Sequence, residues 1–166
     1  MSNLAHGGDD YPDAAGKHLD DATALFAQDR FDGAAYLTGY VVECALKTLV
    51  VLNQLSLTGI TLASLKGGGP PDAVKLGQAF AHAKTFKHSL HGLSQALLTL
   101  ALLPSAATAN YKLPAPLASM YPAGWSERLR YSAPQFRSTP VDAWIEHAED
   151  VYRATVAKLR LDGIVR

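Results

Sequence analysis

The chain has 166 residues, 48% of them hydrophobic, and a formal net charge of zero. It is long enough for one domain with a sizeable core, cramped for two, and too neutral to be drawn as a whole to nucleic acid or membrane. Cys44 is the only cysteine, which excludes an intrachain disulfide and suits a reducing compartment.

Residues 1–10 are small and polar and read as a flexible lead into a single domain over 11–166. The opening MSNLAHGGDDYPD has neither the basic start nor the apolar run of a secretory or transit sequence. A first helix is expected from about Pro12 to Gln28, with Leu19, Ala22, Leu25 and Phe26 on one face and acids towards its start. A tight turn follows, in which Asp32 is a natural N-cap for the next helix.

That next helix, Phe31 to Leu55, is apolar on nearly every side and must be buried or shared with a partner. Along one line it carries Tyr36, Tyr40, Glu43 and Lys47, a polar and aromatic stripe inside a hydrophobic rod. A buried Glu43 needs a cation, because stripping one partner from a buried pair costs about 3–5 kcal/mol. Lys47 and an arginine from far along the chain, Arg130, are the two options. Cys44 in this helix reads as core filling rather than a nucleophile.

Leu57 to Leu65 is a short helix or an irregular crossing, and the run KGGGPP from Lys66 to Pro71 is a break. Its glycines are not a phosphate loop, since no Gly-Lys-Ser/Thr follows and no strand precedes them. Asp72 caps a helix through Phe80 and Ala83, and a further helix takes His88 to Leu103 with Leu90, Leu93, Leu97 and Leu100 at helical spacing. Pro104 ends it. The proline-rich stretch up to Pro140 interleaves Tyr121, Trp125, Leu129, Tyr131 and Phe136 with Arg128, Arg130 and Arg137, a composition that packs back on the domain. A helical turn is expected at Ser126 to Arg130. In the last helix Thr139 caps and Pro140 takes the first position, and the helix runs to about Leu161, where Gly163 stops it.

Neither Thr48–Leu65 nor Ser89–Tyr111 is an unbroken apolar run of about 20 residues, so the expectation is a cytoplasmic protein without a membrane span. No stretch alternates like a strand. The fold class is all-α: an antiparallel up-and-down bundle of four main helices plus short extra ones.

Charge is unevenly spread. Seven aspartates face only Lys17 and Arg30 between Met1 and Gly33, whereas Lys66 to Arg137 holds eight bases against Asp72 and Glu127. This gives either a basic side for phosphates or simply the solvated faces of different helices. His82, His88 and His91 cluster, but a metal site would need a third ligand of suitable geometry, and neither metal nor cofactor is expected. The group Glu146, His147, Glu149 and Asp150 reads as the wet face of an amphipathic helix.

Taken together, FDGAAYLTGYVVECALK after a tight turn, the HSLHGL entry to a later helix and WSERLRYSAP before the last one resemble the HEPN domain (higher eukaryotes and prokaryotes nucleotide-binding) over about residues 10 to 161. The resemblance implies a small helical bundle that commonly forms a homodimer. It also implies nucleotide or RNA binding, RNA-directed defence, or a toxin–antitoxin pair with a small nucleotidyltransferase.

Active HEPN ribonucleases work without metal, through an arginine followed a few residues later by a histidine. Arg130 stands where that arginine is expected, but Gln135, Phe136 and Arg137 occupy the histidine's place. Loss of a general acid or base removes roughly 100- to 10,000-fold in rate. The resemblance therefore implies a catalytically degenerate module whose cleft, edged by Lys47, His88, Arg128, Arg130 and Tyr131, holds a nucleotide, RNA or partner protein. The alternative is a metal-independent endoribonuclease using Arg130 with a displaced histidine, His88.

Overall fold

The structure is a computed structural model; it describes residues 1–66, 69–101, 111, 125, 127–131 and 136–166, with the side chains of 98–101 and 130 excepted. The expected helix stop at Pro104, Tyr121, and most of the proline-rich stretch lie outside the described residues. Among those described, the chain is an all-α bundle with no strand.

Helix α1 is Tyr11–Phe26 and α2 is Phe31–Leu57. They are joined through Asp29, which takes a left-handed φ of 57°, while the Arg30 amide donates back to the Leu25 carbonyl. Aspartate is among the few residues that visit this region. Three contacts give the register: Leu25 meets Gly33, His18 meets Tyr40, and Tyr11 meets Lys47. Each step of seven back along α1 is a step of seven forward along α2. The two helices are therefore antiparallel neighbours, as so short a connection requires.

α2 is the core. Val41, Val42, Ala45, Leu46, Val50 and Leu52 are fully buried, and neighbours enclose it on several sides. By length and composition it could cross a membrane, but 83% of its most apolar window is buried inside the protein, which identifies a core helix. Around it lie the short α3 (Leu62–Leu65), α4 (Ala73–Thr85), α5 (Leu90–Ala101), a 3₁₀ turn (Glu127–Tyr131) and α6 (Ser138–Tyr152). α6 continues through a π turn (Arg153–Ala157) into α7 (Lys158–Leu161). Within the π turn the Thr155 hydroxyl donates to the Val151 carbonyl at 2.6 Å, a back-bond of the kind that bends helices.

Asp72 caps α4 as expected, accepting from the Val74 and Lys75 amides at 3.1 and 3.0 Å. Gly163, at φ 72°, stops the last helix: its amide donates to Arg160 and that of Ile164 to Leu159, the two bonds of a Schellman turn.

Two caps differ from expectation. α2 begins one residue before Asp32, so the carboxylate sits inside the first turn and accepts from the Phe136 amide at 3.3 Å, tying the approach to α6 onto α2. α6 begins at Ser138 with Arg137 as its uncapped flank. Pro140 falls third in the helix, where its missing N–H has no partner to lose.

The first ten residues are packed rather than loose. Leu4 is 1% exposed, Ser2 donates twice to Asp10, and Asn3 bonds the Ile164 carbonyl and the Arg166 amide. One apolar side chain and short polar anchors hold a segment whose composition resembles a free end.

Candidate functional site

Glu43 lies in the middle of α2, with its side chain 4% exposed. One carboxylate oxygen accepts from Lys47 Nζ at 2.7 Å, and the other accepts from His88 Nδ1 at 2.9 Å. Lys47 is on the next turn of α2 and His88 lies just before α5, so the charge is satisfied once from its own helix and once across the bundle. An ionised carboxylate only accepts, so His88 must donate from Nδ1, and in the neutral ring Nε2 then carries the lone pair. The His88 side chain is 41% exposed.

Tyr40, one turn before Glu43, is the hub of an aromatic cluster. Its ring centre lies 5.6 Å from His88, 5.6 Å from His18, 5.5 Å from Trp125 and 5.0 Å from Tyr36. The Tyr36 hydroxyl donates to that of Tyr40 at 3.1 Å. Trp125 can approach because residue 39 is glycine: a Cβ there would stand 1.8 Å from Trp125 Cε2. The indole thereby anchors the chain that enters the Glu127–Tyr131 turn, which contacts α2. Leu129 packs on the core, while Arg128 and Tyr131 face outward, Tyr131 at 75% exposure.

Burial sets the electrostatics. The His18 pKa is lowered, first by desolvation and then by the Lys17 charge, with Asp21 and Glu43 opposing. Cys44 is pushed up to about 12 by desolvation and then by the Glu43 charge, so its thiol stays protonated. Desolvation likewise raises the Tyr11 phenol, with Asp9, Cys44 and Glu43 adding to the shift.

No protein-family model, no curated protein and no solved structure matches the chain. The side chains themselves carry the functional reading.

Of the residues singled out from sequence, Glu43, Lys47 and His88 come together directly. The resemblance implies Lys47 at a cleft edge for phosphate, but it is only 6% exposed, with Nζ committed to Glu43 and lying 5.4 Å from the Tyr11 ring centre. It holds the carboxylate instead of reaching the surface. The Arg130 backbone belongs to the 3₁₀ turn, but its side chain, and with it the expected pairing to Glu43, lies outside the described residues.

His82 and His91 are exposed, and His82 meets the Phe86 ring edge-on. Among the described residues no group of three or more His, Cys, Asp or Glu is placed to hold a metal. His147, read as part of a wet face, is 2% exposed and its pKa is lowered by burial. His18 and Trp125 are the members of the site that were not singled out for it. For His18 the hint in the sequence is that an antiparallel α1 must bring residue 18 level with residue 40; for Trp125 it is an aromatic-rich stretch whose composition packs back on the domain.

Proposed function

We propose that this chain is a HEPN-like helical module, catalytically degenerate, that binds a nucleotide or RNA on the face around His88. The observation that carries this reading is the buried Glu43 carboxylate. It is neutralised by Lys47 and spends its second oxygen on orienting an imidazole that reaches solvent.

Tyr40 and Trp125 connect His88 to the turn bearing Arg128 and Tyr131, so cationic and aromatic side chains come from one neighbourhood. Arginine suits phosphate and an exposed aromatic ring suits a base. In keeping with the resemblance, the module acts in the cytoplasm as a homodimer, alone or beside a small nucleotidyltransferase in a toxin–antitoxin or defence setting. The test is anisotropy of a labelled single-stranded RNA at several salt concentrations. Arg128→Ala should weaken binding across sequences and flatten the salt dependence, and His88→Ala should weaken it further; unchanged affinity in both variants would overturn the reading.

A second reading, metal-independent RNA cleavage, is favoured by one feature. With Nδ1 held by Glu43, the lone pair on His88 Nε2 is the arrangement a general base needs. Total transfer RNA incubated without metal, beside His88→Ala and Arg130→Ala variants, separates the two. Cleavage lost in the variants supports an enzyme, and intact RNA throughout leaves the binding module.

A further inference from the structure

The two imidazoles against Tyr40 are not equivalent. Each ring centre is 5.6 Å from that of Tyr40, so the two are separated by no more than twice that distance. His88 has Nδ1–H spent on Glu43, which leaves Nε2 of the neutral ring as an acceptor. His18 is the reverse. Its Nδ1 is buried and, among the described residues, has no hydrogen-bond partner. A bare ring nitrogen is cheaper to bury than an unpaired N–H, which would be charged or would leave a donor unsatisfied. The proton of neutral His18 therefore sits on Nε2, and the lowered pKa keeps the ring neutral near pH 7.

One ring thus offers an acceptor and the other a donor, both beside the same phenol. We propose that His18 and His88 form a single recognition element for the ribose–phosphate unit of RNA, His88 Nε2 accepting from a 2′-hydroxyl and His18 Nε2–H donating to an oxygen of the neighbouring phosphate. The pairing fits a ligand that carries a hydroxyl donor next to an anionic acceptor. A deoxyribose lacks the donor, so it would leave the His88 lone pair unmet. The proposal rests on the nucleic-acid-binding reading above and adds to it a second residue and a reason to discriminate ribose from deoxyribose.

The experiment compares affinities of the full chain for a single-stranded oligoribonucleotide and the deoxyribonucleotide of the same sequence. The wild type should prefer the ribo strand by about tenfold, the value of one good hydrogen bond. His88→Leu should abolish the preference. His18→Leu should weaken both strands alike, and His18→Gln, whose amide nitrogen can replace Nε2–H, should restore them. Circular dichroism of each variant controls for folding. Equal affinity of the wild type for the two strands, or failure of His18→Leu to weaken either, overturns this inference while the binding reading stands. Absence of binding to both strands overturns the two together.

Discussion

The indole of Trp125 fills the space that a side chain at Gly39 would need. A Cβ at position 39 would lie 1.8 Å from Cε2, 2.2 Å from Cζ2 and 2.3 Å from Nε1, all ring atoms that cannot fold away. In an open helix Gly→Ala stabilises by about 0.5–1 kcal/mol, whereas overpacking costs about 1–3 kcal/mol. The clash should win: Gly39→Ala is expected to destabilise by about 1–2 kcal/mol. It should also shift Trp125 emission to the red in a Trp144→Phe background. Trp125→Ala removes the obstacle, so adding Gly39→Ala to that variant should be neutral or stabilising. A destabilising effect of the same size in both backgrounds would mean that the indole is not what excludes a side chain.

Glu43 and Lys47 make the second prediction. Both are nearly fully buried, and Glu43→Gln leaves an ammonium without its counter-charge. The expected loss is about 3–5 kcal/mol, more than any exposed pair of this chain should show. Replacing both, as Glu43→Leu with Lys47→Met, should cost much less than the two single changes added together, because the double variant strands no charge. Urea denaturation of the four proteins measures the coupling, and additivity within error would refute a buried pair.

His18 and His147 should make stability fall on mild acidification. Burial lowers both pKa values in the folded state, whereas in the unfolded chain a histidine titrates near 6.5. Above that pH both states are neutral and nothing is lost. Below it the unfolded chain takes up protons that the folded one refuses, so stability drops as pH falls from about 6.5 through the lowered folded-state values. Urea midpoints between about pH 8 and 5 should decline in the wild type, and less steeply in His147→Gln and His18→Gln. Parallel slopes in all three would show that other groups set the acid limb.

The helices were legible because their signals are local. The all-round apolar character of α2, the Asp72 cap and the Gly163 stop each depend on a few neighbouring residues. Asp32 and Thr139 were misread as caps because a helix start slides by a residue when tertiary contacts reward it, here the Phe136 amide on Asp32. The site was half legible. The stripe of Tyr36, Tyr40, Glu43 and Lys47 follows from helical spacing alone, but which donor reaches Glu43 across the bundle depends on how the later helices dock. His18 and Trp125 join Tyr40 only through the α1–α2 register and the room at Gly39, and neither residue carries a mark of that in its own surroundings.

Cys44 should be chemically silent in the native protein. It is 7% exposed and its pKa is pushed up to about 12 by desolvation first and the Glu43 charge second, with Lys47 opposing. At about pH 8 the thiolate share is then roughly one in 10,000, against about a quarter for an ordinary cysteine. A disulfide reagent that needs the thiolate should label native protein only as fast as the bundle opens around α2, and label denatured protein at once. Because opening limits the reaction, its rate should rise in Glu43→Gln in step with the lost stability. Prompt labelling of the folded wild type would show that the thiol is accessible and ionised, and would place Cys44 outside the core.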